Sequence, residues 1–179
     1  MRLTLPGLEV SPLTAADLAP FVAYRRDPAV ARYQSWDADY SAADARALLA
    51  SQDGWDFPPK GEWMQYGIRS SGELVGDVAV HRLSSQPDTF ELGVTIAPAE
   101  QGRGVATQVL GAAASHLFAE RGAHRVYAEC DTRNAAMKAV LARAGFRHEG
   151  TAVEADWFKG EWTTVETWAL LAGDRSVVG

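Results

Sequence analysis

Apolar and polar positions follow a helical period in the first part of the chain, a strand period in the middle, and an alternation of the two towards the end. Leu18, Phe21, Val22 and Arg25 recur at the i, i+3, i+4, i+7 spacing of one helix face. Asp17 is placed to cap that helix, and Pro20 falls in the first turn, where a missing N–H costs little. Asp27-Pro28 predicts a new helix start, with Asp as cap and Pro at the first helical position. Ser41 to Asp44 reads as a capping box with Asp in place of Glu, opening a third helix that carries Ala45, Leu48 and Leu49. Breakers at Asp53-Gly54 and from Phe57 to Gly61 predict a loop.

Strand signals follow. Trp63 to Arg69 and Leu74 to Leu83 form a hairpin around Ser70-Ser71-Gly72-Glu73. After a loop, Thr89 to Ile96 is a strand that stops at Ala97-Pro98. A long helix spans about Gly104 to Arg121, with Val105, Val109, Ala112, Ala113 and Leu117 on one face and Gly122 closing it. Arg125 to Cys130 is a short strand, and Asn134 to Ala144 a second helix with a stripe of Met137, Val140, Leu141 and Ala144. Gly145 closes it, Phe146 packs beyond, and a hairpin of about 150–158 and 162–171 turns at Lys159-Gly160. The reading is one α/β domain over residues 1–179.

Composition narrows the function classes. The chain has 179 residues, 47% hydrophobic and 22% charged, as in ordinary globular proteins rather than fibrous or disordered ones. A net charge of −6 argues against nucleic acid as a partner, which calls for a basic face. No apolar run approaches the roughly 18 residues of a membrane span, and Met1 to Gly7 lacks the features of a secretory signal. With Cys130 alone, an internal disulfide is impossible, so a reducing cytoplasm is the expected location. The histidines at 81, 116, 124 and 148 lack zinc spacing and no C-x-x-C occurs, so no metal is expected.

Chemistry concentrates between Val94 and Thr107, where a strand ends, a loop with glycines follows, and a helix begins. The first N–H groups of a helix have no internal partner, and its dipole adds partial positive charge, which together suit a pyrophosphate. Gly102, Gly104 and Ala106 keep bulk away from such an anion, and Arg103 adds a full charge. A purely structural turn is the alternative on this fragment alone. Neither G-x-x-x-x-G-K-[ST] nor G-x-G-x-x-G is present.

Gln101, Gly104 and Ala106 fill the pattern Gln/Arg-x-x-Gly-x-Gly/Ala, and in this the segment resembles the acetyl-CoA loop of the GCN5-related N-acetyltransferase superfamily. Phe90 to Ile96 looks like the family's fourth strand, and Arg125 to Cys130, Asn134 and Gly145-Phe146 like its second block. Tyr24 to Tyr33 is similar to the ribosomal-protein N-terminal acetyltransferase branch. The resemblance implies a central, mostly antiparallel sheet, splayed between the family's strands 4 and 5 and flanked by helices. It implies acetyl-CoA in that gap, its arm against the backbone of Val94 and Ile96 and the side chain of Asn134. Its pyrophosphate would meet N–H groups among Gly102, Arg103, Gly104, Val105, Ala106 and Thr107, next to Gln101. An amine would attack the thioester directly, so Cys130 is expected to be a small core residue rather than a nucleophile.

Deprotonating a lysine-like amine of pKa about 10.4 at pH 7 costs roughly 4.6 kcal/mol, whereas an N-terminal amine near 7.7–8.0 costs about 1–1.4 kcal/mol. A carboxylate could take that proton, and Glu91 is the candidate base, with a plain surface carboxylate as the alternative. The usual acids of the family are missing: the tyrosine position is Leu141 and the serine position is Met137. Tyr127 reads better as an ordinary core or surface tyrosine than as their substitute. Trp36, Trp55, Phe57 and Trp63 read mainly as packing, Trp157 and Trp162 as a cross-strand pair, and His116 as a satisfied helix histidine. Asp37, Asp39 and Asp56 could attract an amine or be ordinary loop carboxylates. Arg133 and Lys138 could reach the cofactor's 3′-phosphate or lie in solvent. The expected partner is an amine-bearing small molecule or a protein N-terminus, for a monomer or homodimer. The competing reading is a non-catalytic acyl-CoA-binding module.

Overall fold

The computed structural model describes the backbone of residues 1–177 and places them around one eight-stranded sheet. Its strands are β1 (Leu3–Leu5), β2 (Leu8–Pro12), β3 (Trp63–Ser70), β4 (Glu73–Arg82), β5 (Thr89–Ile96), β6 (Arg125–Asp131), β7 (Arg147–Phe158) and β8 (Glu161–Leu171), in spatial order β1-β2-β3-β4-β5-β6-β8-β7. Only β5 and β6 run parallel. The helices are α1 (Leu18–Arg25), α2 (Pro28–Ala31), α3 (Ala42–Ser51), α4 (Val105–Arg121) and α5 (Ala135–Arg143). No described helix is long and apolar enough to cross a membrane.

Two expectations for the first stretch are corrected. It begins with strands, not a helix: β1 and β2 pair Leu3 with Val10 and Leu5 with Leu8 across Pro6-Gly7. Gly7 takes φ +73° there, a conformation glycine adopts without the steric cost of a side chain. Asp17 does stand at the N-cap position of α1, but its side chain makes no cap hydrogen bond there. A 3₁₀ turn at Ala15–Asp17 starts on Thr14, and the Asp17 carboxylate accepts from the Thr14 N–H at 2.7 Å and hydroxyl at 2.9 Å. The same carboxylate pairs with Arg69 of β3. Asp27 and Ser41 do cap as expected: Asp27 accepts from the Ala29 N–H at 2.8 Å, and Ser41 and Asp44 form a capping box.

Alternation along the strands separates two cores. Val78 and Val80 of β4 and Phe90 and Leu92 of β5 face α4, whose Val105, Val109, Leu110, Ala113 and Leu117 are buried. Ala112, expected on this face, is only partly buried. Phe21, Tyr24, Val30 and Ala45 form a smaller core beneath α1 and α3. There Asp77 of β4 accepts from Tyr24 at 2.6 Å and pairs with Arg25 at 3.0 Å, almost entirely out of solvent. The Arg25 guanidinium lies 3.6 Å from the Trp36 ring centre and 4.0 Å from that of Phe21. Trp36 thus packs, as expected, and fixes the turn after α2.

The β4–β5 contact is tight at Gly76, which pairs with Ile96. A Cβ there would run into the Thr95 carbonyl and come within 3.1 Å of the Ile96 Cα. Gly76→Ala is therefore expected to lose about 1–3 kcal/mol of stability, read by urea denaturation.

Candidate functional site

β5 and β6 pair only at Thr89↔Arg125, Phe90↔Val126 and Glu91↔Tyr127. Beyond Glu91 the two strands part, as expected for the family's strands 4 and 5, which are β5 and β6 here. The gap is a groove of about 400 Å³. Val94, Thr95 and Ile96 form one wall, Asn134, Met137 and Val140 another, and Ala29, Val30 and Tyr33 at α2 a third. Lys159, at the turn between β7 and β8, anchors that third wall by donating to the carbonyls of Ala31 (2.9 Å) and Trp36 (2.6 Å) and pairing with Asp37 (3.0 Å).

The groove ends on the start of α4. Gly102 (φ +76°) and Gly104 (φ +80°) are both left-handed, which turns the chain sharply from loop into helix. Gln108 makes the first helical bond, to the Gly104 carbonyl at 3.0 Å. The N–H groups of Val105, Ala106 and Thr107 therefore precede the hydrogen-bonded ladder, and all three residues line the groove with Gln101, Gly102 and Gly104. A pyrophosphate fits such a cradle: small residues, N–H donors and the positive end of a 17-residue helix.

Side chains refine this picture. Gln101 donates from Nε2 to the Ile96 carbonyl at 2.9 Å, tying the loop to the strand end. Asn134, which lines the groove, caps α5 by accepting from the Met137 N–H at 3.1 Å through Oδ1, a bond that does not use its Nδ2 amide. Arg103 is turned away: its side chain is exposed, pairs with Glu100 at 2.9 Å and does not line the groove. Arg133 pairs with Asp131 and Glu161, and Lys138 with Glu166. Among the described residues, the cation on the groove wall is Arg143, in the last turn of α5, a position no motif singles out.

Glu91 lies outside the groove lining, at the last paired position before the strands part. Trp63, His81, Glu91 and Tyr127 are successive cross-strand neighbours on β3 to β6. The Tyr127 hydroxyl donates to Glu91 Oε2 at 3.0 Å, and His81 Nδ1 lies 3.4 Å from the same oxygen. Burial pushes the Glu91 carboxyl above its ordinary range and nearby Glu129 adds to this, while His81 and Tyr127 pull it back. Tyr127, partly buried, is thus a hydrogen-bond donor to the carboxylate. The role of His81 is invisible before the strand register is known.

A second cavity, of about 420 Å³, lies beside β6 and the β7–β8 hairpin. Tyr33 lines both cavities, and Glu129, Cys130 and Asp156 line the second. Burial pushes the Cys130 thiol up to about 11, which keeps it protonated at neutral pH. Leu141 is fully buried and Met137 is a groove wall, so neither offers a proton. His116 differs from expectation: its buried Nε2 has no partner among the described residues, and desolvation lowers its pKa. Trp157 and Trp162 do pair across the strands, edge to face at 5.3 Å, and Trp63 stacks on His81.

Comparison with known proteins agrees with this geometry. The model of the acetyltransferase (GNAT) domain family matches residues 8–147. The uncharacterized N-acetyltransferase YnaD of Bacillus subtilis is 23% identical over 171 residues, 96% of this chain and 97% of that protein. The ribosomal-protein-serine acetyltransferase of Escherichia coli is 26% identical over 112 residues, 63% of either chain. The structure of spermidine N-acetyltransferase from Vibrio cholerae, in complex with CoA and spermine, superposes with a TM-score of 0.80 at 19% identity, covering 93% of this chain and 96% of that one.

Proposed function

The chain belongs to the acetyltransferase (GNAT) family, and we propose that the groove between β5 and β6 carries acetyl-CoA while a primary amine approaches from the Glu91 face. The parting of β5 from β6 directly above the open first turn of α4 carries this reading. Acetyl-CoA supplies an activated acetyl thioester. The N–H groups of Val105, Ala106 and Thr107 hold its pyrophosphate, and Arg143 adds positive charge to that wall. Val94, Met137 and Val140 exclude water from its arm, and the Asn134 amide donates to it. Glu91 takes the proton of the incoming ammonium, freeing the lone pair that attacks the carbonyl carbon. The thiolate needs no dedicated acid, since a thiol of ordinary pKa near 8.5 is protonated by solvent after it leaves.

The acceptor is the α-amine of a polypeptide or a small amine such as a polyamine, amino acid or aminoglycoside. Among the relatives, one is named a ribosomal-protein-serine acetyltransferase and another a spermidine N-acetyltransferase. The α-amine asks least of the base, by about 3 kcal/mol against a lysine-like amine. The test is CoA thiol release with short peptides bearing a free α-amine, spermidine, free amino acids and an aminoglycoside. Saturable release with any of these supports transfer. Release with none, alongside tight acetyl-CoA binding, would instead favour a non-catalytic acyl-CoA-binding module.

A further inference from the structure

The row Trp63, His81, Glu91, Tyr127 spans four neighbouring strands at matched register positions, which places all four side chains on one face. The rings of Trp63 and His81 stack, with centres 4.8 Å apart and planes 16° apart. This stack limits how His81 can turn and presents Nδ1 to Glu91 Oε2 at 3.4 Å. The Tyr127 hydroxyl reaches the same oxygen at 3.0 Å from the opposite side. Both contacts fall on Oε2, so Oε1 is the oxygen left to take a proton. A contact of 3.4 Å is long for a resting hydrogen bond, and such bonds commonly tighten once substrate is bound.

We propose that His81 is a positioning residue for acetyl transfer: braced by Trp63, it shares Glu91 Oε2 with Tyr127 and so fixes both the aim and the charge of the carboxylate. This rests on the reading of Glu91 as the base. His81 donates through Nδ1, which then carries the ring hydrogen. The acceptor ammonium gives one proton to Glu91 Oε1 and its lone pair forms the new N–C bond. The C–S pair leaves with sulfur, the nitrogen sheds its second proton to solvent as solvent protonates the thiolate, and the carboxylic acid returns its proton to water. The ionisable groups facing Glu91 are His81 from β4 and Tyr127 and Glu129 from β6. Two of them donate to the carboxylate and one repels it. Losing a donor therefore raises the pH at which Glu91 becomes a base.

The test is the pH profile of kcat/KM for the acceptor in His81→Ala, His81→Asn and Trp63→Leu, with melting temperature and acetyl-CoA affinity as controls. In His81→Ala the acidic limb is expected to move up by about 0.5–1 pH unit, with little change on the alkaline plateau. His81→Asn, whose amide nitrogen can stand where Nδ1 stood, restores most of the limb. Trp63→Leu, at a half-exposed position, moves it in the same direction by less. The acceptor's own ionisation is common to all profiles, so a displacement belongs to the enzyme. An unmoved limb in a folded, cofactor-binding His81→Ala would overturn the proposal, provided Glu91→Gln is inactive. An active Glu91→Gln would instead overturn the base assignment beneath it.

Discussion

Glu91→Gln is expected to lower kcat by about 10²–10⁴-fold while leaving acetyl-CoA affinity unchanged. The amide matches the carboxylate in shape and still accepts from Tyr127, so the row across β3 to β6 keeps its packing. What it cannot do is take a proton from an ammonium ion. Burial holds the carboxyl above its ordinary range, and the sign of the stability effect follows. A carboxyl whose folded pKa is raised penalises the fold once pH exceeds the ordinary carboxylate range, and that penalty is full above the folded pKa. At neutral pH, Glu91→Gln removes it, so the inactive variant should melt no lower than the parent. Lower kcat with an undiminished melting temperature marks a residue kept for chemistry rather than for stability. Unchanged kcat would remove Glu91 from the mechanism.

The second large effect is on binding. Gly104→Glu is expected to weaken acetyl-CoA by about 100-fold or more, the loss of roughly 2.7 kcal/mol. A Cβ at Gly104 meets nothing within 4 Å, so the first atom of a new side chain has room. Its backbone, at φ +80°, is left-handed and costs a non-glycine residue about 1–2 kcal/mol, which an ordinary domain tolerates. The damage comes from charge. A carboxylate at the start of α4 satisfies the same N–H groups that a pyrophosphate would use and repels the anion besides. Gly104→Asn is the control, because Asn tolerates the left-handed region and carries no charge. Gly104→Asn should keep most of the affinity. Equal losses in the two variants would mean that glycine serves the loop's shape rather than an anion.

The segment from β5 through α4 was legible in the sequence because its signals are local. A β-rich run, Ala97-Pro98, two glycines and a stripe of helical period specify strand, turn and helix without reference to the rest of the chain. The resemblance of that segment then located the gap between β5 and β6. Strands β1 and β2 escaped because three and five residues offer too few inward positions to show a period, although Pro6-Gly7 between leucines is a turn signal. Asp77, Tyr24 and Arg25 meet across more than 50 residues of sequence, and only the packing of α1 on β4 brings them together. The His81–Glu91–Tyr127 contacts depend on register, since a slip of one residue would send alternate side chains to the opposite face. Arg103 shows the converse: it sits in the motif between two glycines that line the groove, but Glu100, three residues earlier, takes its guanidinium. Arg143, nine positions after Asn134, reaches the groove only because α5 lies along it.

The most direct test of the central claim, that the groove above α4 is the acetyl-CoA site, is titration calorimetry of the purified protein and of Gly104→Glu with acetyl-CoA, using NAD and ATP as controls. Saturable binding of acetyl-CoA alone, lost in the variant while its fold persists, is the predicted result. No binding to folded wild-type protein, or equal binding to both proteins, would contradict it.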